Sequence, residues 1–280
     1  MNMSLISLLI ALAAERYLSA SAWQFNTYFA KYVALFNRIS PLGKANASFI
    51  ANIALVAIPV AICYFILTAV SDGLLHLIIS TLVLIVCFGC VKTRDCYKQF
   101  LMAAFRGEPT TCDLHHQTLM QDKNLKDMGF GQMLVWLNYR YFIAVMIFFV
   151  VFGAPGALFY RLLTKINETP CQEVAESESI VRNNQLVLFW VDFVPVRIVA
   201  FGYMLVGHFS RALPVWLEGV FDFSRVPNRI LLSVAQKSED FMVDADDCTA
   251  EPCLLVRLAK RTLLLFLALN AILIITGTIS

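Results

Sequence analysis

Many apolar residues in this chain come in long unbroken runs rather than at helical or alternating spacing. Phe49–Val70 holds 22 residues without a charge, and Leu74–Val91 follows after only Ser71-Asp72-Gly73. Runs of about 20 uniformly apolar residues predict helices that cross a bilayer. So short a connection makes these two an antiparallel hairpin. Asp72 is placed to cap the second helix, and Gly73 permits unusual backbone angles. Pro59 kinks the first helix, which neighbouring helices can absorb. Further runs cover Tyr141–Tyr160, Leu186–Val206 and the 17 residues Leu263–Ile279. Met1–Ala14 is apolar from Leu5 but short; a span near 4–14 is allowed. It lacks a basic start and a small-x-small cleavage site, so it does not read as a cleaved signal peptide.

Polar segments separate these runs. Within Lys92–Arg140, Phe100, Leu101, Ala104 and Phe105 predict a surface helix over Asp95–Phe105, ended by Arg106-Gly107-Glu108-Pro109. Leu125–Leu137 and Arg211–Gln236 read as amphipathic. Arg161–Gln185 is a connecting loop containing the triplet Asn167-Glu168-Thr169, which fits a glycosylation sequon. Ser238–Glu251 is an acidic loop. The expected fold is all-α: one polytopic, helical integral-membrane domain over 1–280. It has about five spans, near 49–70, 74–91, 141–160, 186–206 and 263–279. Cytoplasmic loops 92–140 and 209–262 carry the amphipathic helices. No internal repeat supports a transporter.

Composition sharpens this picture. The chain is 59% hydrophobic and 15% charged, against roughly 25% charged in soluble domains. Its net charge of +2 gives no basic field for nucleic acid. The expected surroundings are the lipid bilayer. Eighteen of the 22 Lys and Arg residues fall in 15–48, 92–140 and 209–262, which places those segments together in the cytoplasm. That bias survives only if Leu186–Val206 crosses, or if it and Tyr141–Tyr160 both re-enter. Of 8 cysteines, Cys248 and Cys253 are expected to be reduced thiols on the cytoplasmic side.

Two runs carry polar features that a passive anchor would lack. Leu186–Val206 holds Asp192, Pro195 and Arg197. Five residues put the two charges about 140° apart on an ideal helix, so they do not pair along one face, although Pro195 could bend them together. Asp192 and Arg197 form either a ligand-binding site or an interior ion pair that fixes helix register, with Arg140 or His208 also available to Asp192. Gly153-Ala154-Pro155-Gly156 is either a broken helix lining a cavity or a small-residue packing surface. Cys112, Asp113, His115 and His116 match no metal spacing and read as a solvated loop. Asp244, Asp246, Asp247 and Glu251 lack the glycine of a calcium loop. Gly43-Lys44 lies in no phosphate-binding loop, and no G-x-S-x-G or H-E-x-x-H appears. No catalytic residue, metal or cofactor is assigned.

Three segments together resemble a known family. Trp136-Leu137-Asn138-Tyr139-Arg140-Tyr141-Phe142 is similar to the W-x-N-x-R-aromatic signature of AmpE proteins, and Asp192-Phe193-Val194-Pro195-Val196-Arg197 to their D-x-x-P-x-R. Gly207-His208 with Arg211-Ala212-Leu213-Pro214-Val215-Trp216 is similar to their G-H…A-L-P-x-W. The resemblance covers essentially the whole chain. It implies a bacterial inner-membrane protein that modulates β-lactamase induction alongside peptidoglycan recycling. The candidate ligand-binding residues are then Asn138, Arg140, Asp192, Arg197 and His208. Their ligand would be an unidentified small or cell-wall-derived molecule, with a membrane or cytoplasmic protein receiving the signal.

A more distant resemblance is to the CobD/CbiB family of cobalamin biosynthesis, which forms an amide with ATP. Gly153-Ala154-Pro155-Gly156-Ala157 with Tyr160-Arg161 is similar to its G-x-P-G-A…Y-R, Asp192…Pro195-x-Arg197 to its D…P-A-R, and Ala103–Glu108 to the segment after its third helix. That family's acidic stretch before the Gly-Pro-Gly run is replaced here by Gln132, Asn138 and Arg140. Magnesium on phosphates usually needs carboxylates, so a binding or signalling role is expected over catalysis.

Overall fold

The computed structural model describes residues 3–17, 23–39, 48–70, 73–125, 128–169, 177–240 and 248–276. The Ser71-Asp72 turn, Cys171 and the acids Asp244, Asp246 and Asp247 lie outside these. All regular structure among the described residues is helical. The helices are α1 (Met3–Tyr17), α2 (Phe25–Ile39), α3 (Phe49–Ala69), α4 (Leu74–Cys87), α5 (Val91–Phe105), α6 (Pro109–Asp122) and α7 (Phe130–Asn138). A π-helical turn (Tyr139–Ile143) leads into α8 (Ala144–Glu168). Then come α9 (Ser177–Val206), α10 (Phe209–Phe221), α11 (Pro227–Lys237) and α12 (Ala250–Ile275). By length and hydropathy, α3, the run Phe130–Glu168 and Ser179–Val206 could each cross a membrane; α4 and α5 qualify only if counted together. That gives three to four candidate spans among the described residues.

By its packing the chain divides into two compact units. The first comprises Met1–Gly89, Ala144–Leu188 and Asn270–Ser280, the second Cys90–Ile143 and Phe189–Leu269.

In the first unit α1 packs on α4, and α8 packs against α3 and α4. Two hydroxyls inside this apolar bundle find partners locally. The Thr81 hydroxyl donates to the Leu77 carbonyl at 2.7 Å and stands 2.9 Å from the Ser7 hydroxyl. Ser48 caps α3 by accepting from the Ile50 amide at 3.2 Å. One face of α3, including Ala51, Leu55 and Leu67, is buried, while Ile53, Ile62 and Phe65 are exposed. A two-faced apolar helix of this kind suits protein on one side and lipid on the other.

The segment 144–168 is not one straight rod. Gly153 takes φ 69° and ψ −163°, a backbone region open essentially to glycine alone. Phe148 and Tyr160 stack with ring centroids 4.9 Å apart, although a straight helix would separate them by about 18 Å along its axis. A Cβ on Gly156 would stand 2.5 Å from the Phe148 carbonyl oxygen, where a straight helix would put roughly 12 Å of rise between those residues. The chain therefore folds back at Gly153, and Gly156 lets the two arms touch. The run Tyr141–Tyr160 contains this reversal.

In the second unit, α5 ends in a Schellman motif. Gly107 takes φ 70°, the Gly107 amide donates to Ala104 and the Glu108 amide to Ala103. Pro109 then opens α6 as its first residue, so Cys112, Asp113, His115 and His116 lie on a helix, correcting the solvated loop. Cys112 is buried with its thiol against the Phe100 carbonyl, and His116 Nε2 sits 2.9 Å from the Met128 carbonyl. The stretch expected to be amphipathic over 125–137 is instead α7, buried on nearly every side. Arg211–Gln236 is two helices, separated where Pro227 starts α11.

Candidate functional site

The candidate residues sit on three elements of the second unit: the end of α7 with its π-helical turn, the middle of α9, and the α9–α10 junction. On α9, Trp190, Val194, Ile198, Phe201 and Leu205 are exposed, while Asp192, Val196, Val199, Ala200 and Tyr203 are buried. These two stripes follow the helical period, so Asp192 points inward among apolar residues. A carboxylate there must be hydrogen-bonded. Asp192, 2% exposed, accepts a 2.7 Å bond from the hydroxyl of Tyr139, which is 0% exposed. Sequence reading missed Tyr139, because a tyrosine in an aromatic run looks like ordinary core.

Tyr139 opens the π-helical turn, and its ring stacks on Trp136 with centroids 5.1 Å apart. The Arg140 guanidinium lies 4.7 Å from the centre of the Trp136 ring, close enough for a cation–π contact. Single π-turns inserted in α-helices recur at functional sites, because the extra residue redirects side chains. Among the described residues, three buried atoms here have no hydrogen-bond partner: Trp136 Nε1, Asn138 Oδ1 and Arg140 Nε. Of the residues at this turn it is Tyr139 that reaches Asp192, while Arg140 lies against Trp136.

Arg197 turns away from Asp192. Its Nη1 donates to the Phe193 carbonyl at 2.8 Å, Nε to Val220 at 3.2 Å and Nη2 to Asp222 at 2.9 Å. The Trp216 indole donates back to the Arg197 carbonyl at 3.1 Å. The Arg197 guanidinium also lies 3.6 Å over the Phe193 ring, which stacks on Phe223. The last carbonyls of a helix lack partners within it and carry its negative dipole end. Arg197 supplies both the donors and the charge, so it clasps the end of α10 to α9.

His208 sits at the other end of α10, which is about 20 Å long. Its Nε2 is 2.9 Å from Asp240, which also pairs with Arg211. The His208 amide donates to the Ser238 carbonyl at 2.8 Å. A Cβ on Gly207 would meet that same carbonyl oxygen at 2.3 Å, so glycine is needed for the approach. Gly219 likewise gives room to Ile230 of α11. α10 and α11 therefore make a closed hairpin, latched at its base by His208 and near its tip by Arg197.

Lys123 is a second residue that sequence reading missed. It is 2% exposed, pairs with Asp122 at 3.2 Å and lies 5.2 Å from the centre of the Tyr141 ring. Burial alone would raise the Asp122 carboxyl, but Lys123 and Lys92 outweigh it and hold the group below the usual range.

The comparisons with known proteins decide the family. The model for "Regulatory signalling modulator protein AmpE" matches residues 3–280. The chain belongs to the AmpE family. The Protein AmpE of Shigella flexneri is 25% identical over an alignment covering 99% of this chain and all of that protein. No solved structure matches this AmpE-family chain. The three segments that resemble AmpE signatures fall on the π-helical turn, on the buried face of α9, and on the α9–α10 junction with α10 itself. They occupy the elements just described.

Proposed function

We propose that this chain is a multi-pass protein of the bacterial inner membrane that modulates β-lactamase induction, linked to peptidoglycan recycling. In this reading a small or cell-wall-derived ligand binds at the Trp136–Arg140 turn beside Asp192, and cytoplasmic segments 92–140 and 209–262 pass the change to a protein partner. The observation that carries it is the trio of Trp136 Nε1, Asn138 Oδ1 and Arg140 Nε, buried without hydrogen-bond partners among the described residues. Each unmade bond costs about 1–3 kcal/mol, so a ligand offering both donors and acceptors gains what the resting protein forgoes. Asp192 and Tyr139 lie next in line to sense it. Arg197 and His208, occupied by the α10–α11 hairpin, transmit rather than bind.

The alternative, an amide-forming enzyme on a CobD/CbiB-like scaffold, would draw on Asp192, Arg197 and His208. It has less support, because those three groups are already committed to Tyr139, to backbone carbonyls and to Asp240. The test is β-lactamase induction in cells that carry Asp192→Asn or Arg140→Met as their sole copy. Normal membrane levels with induction reduced at least several-fold are expected. Unchanged induction at normal levels would overturn the proposal.

A further inference from the structure

The first unit contains an apolar groove of about 990 Å³ that the site above does not use. One wall is a continuous face of α3, running from Phe49 through Val56 and Val60 to Phe65. The other is the folded-back α8, with Phe148 and Phe152 from the arm before Gly153 and Pro155, Phe159 and Leu163 from the arm after it. Asn52, Asn184 and Tyr64 bring the polar side-chain atoms of the lining.

We infer that this groove holds the acyl chains of a membrane phospholipid. Its α3 wall extends about 24 Å, most of the roughly 30 Å hydrocarbon thickness of a bilayer. It is continuous with surface that α3 already turns outward at Ile53, Tyr64 and Phe65, so its mouth opens where a membrane-crossing α3 meets lipid. A chain methylene takes about as much room as a water molecule, roughly 30 Å³. The groove therefore has space for on the order of thirty chain carbons, which suits two acyl chains rather than one short hydrocarbon. The buried amides of Asn52 and Asn184 offer polar contacts suited to a glycerol ester. Because the two α8 arms share a wall, the occupant also props the angle at Gly153. The lipid is thus an integral wedge of the first unit, independent of the ligand proposed for the second.

The test uses full-length protein purified in detergent, with retained lipid identified by native mass spectrometry. Near-stoichiometric phospholipid surviving detergent exchange is expected. It should be lost in Ala57→Phe and in Ala61→Phe, which fill the groove from α3. Adding phospholipid should raise the Tm of the wild-type protein and leave that of both variants unmoved. Retention unchanged in folded, monodisperse variants would overturn the inference. So would a polyprenyl lipid recovered in place of phospholipid, or a second copy of the chain occupying this face. If both variants misfold, the wild-type retention and Tm shift decide alone, and absence of either overturns it.

Discussion

Single residues in this protein solve the problem of polar groups in an apolar surrounding in different ways. Asp192 is buried and accepts from the Tyr139 hydroxyl, while Arg197 directs its charge at neutral carbonyls at a helix end. The charges themselves were legible in sequence, because acid and guanidinium in an apolar run are costly without a purpose. Their partners were not, because five-residue spacing gives only a direction around the helix. Gly153 carries the most specific backbone demand. Gly153→Ala forces a side chain into a region that costs about 1–3 kcal/mol, so unfolding in detergent should require correspondingly less denaturant. Acid should loosen the end of α6. Asp122 is held below its ordinary value of 3.8, so its contribution is full above that value and is lost as pH falls through the depressed one. Hydrogen exchange around Lys123 should therefore rise below about pH 4, and Asp122→Asn should remove that pH step.

At the scale of elements, apolar runs announced α3 and α4 because length and uniform hydropathy need no tertiary information. The sequence was less informative where packing decides. Arg106-Gly107-Glu108-Pro109 marks the end of one helix, yet Pro109 also starts α6. The stretch expected to be two-faced over Leu125–Leu137 contains most of α7, whose side chains other than Gln132 and Asn138 are buried. The fold-back of α8 rests on a single glycine's backbone angles, which Gly-Ala-Pro-Gly suggests without fixing. The α10–α11 hairpin depends on Arg197 as a clasp with three planar donors. Arg197→Lys keeps the charge but not that fork. Amide exchange across 209–237 should accelerate at least tenfold in the lysine variant while α3 stays protected. Unaltered exchange in the hairpin would show that the clasp does not hold it.

The whole molecule is a helical membrane protein of the AmpE family whose chain passes through two compact units. Family membership was legible from three short motifs because each meets a geometric demand of the fold. One builds the π-turn, one supplies a buried acid with its clasp, and one makes a glycine-dependent junction. The proposed function depends on α9 crossing lipid with Asp192 on its inner face. Spin labels placed singly at Trp190, Val194, Ile198, Phe201 and Leu205, in protein reconstituted into bilayers, test this most directly. Their relaxation should respond strongly to oxygen, which concentrates in hydrocarbon, and weakly to a water-soluble nickel complex, with the contrast greatest near the middle of the series. Labels that respond to nickel as freely hydrated surface residues do would contradict the account.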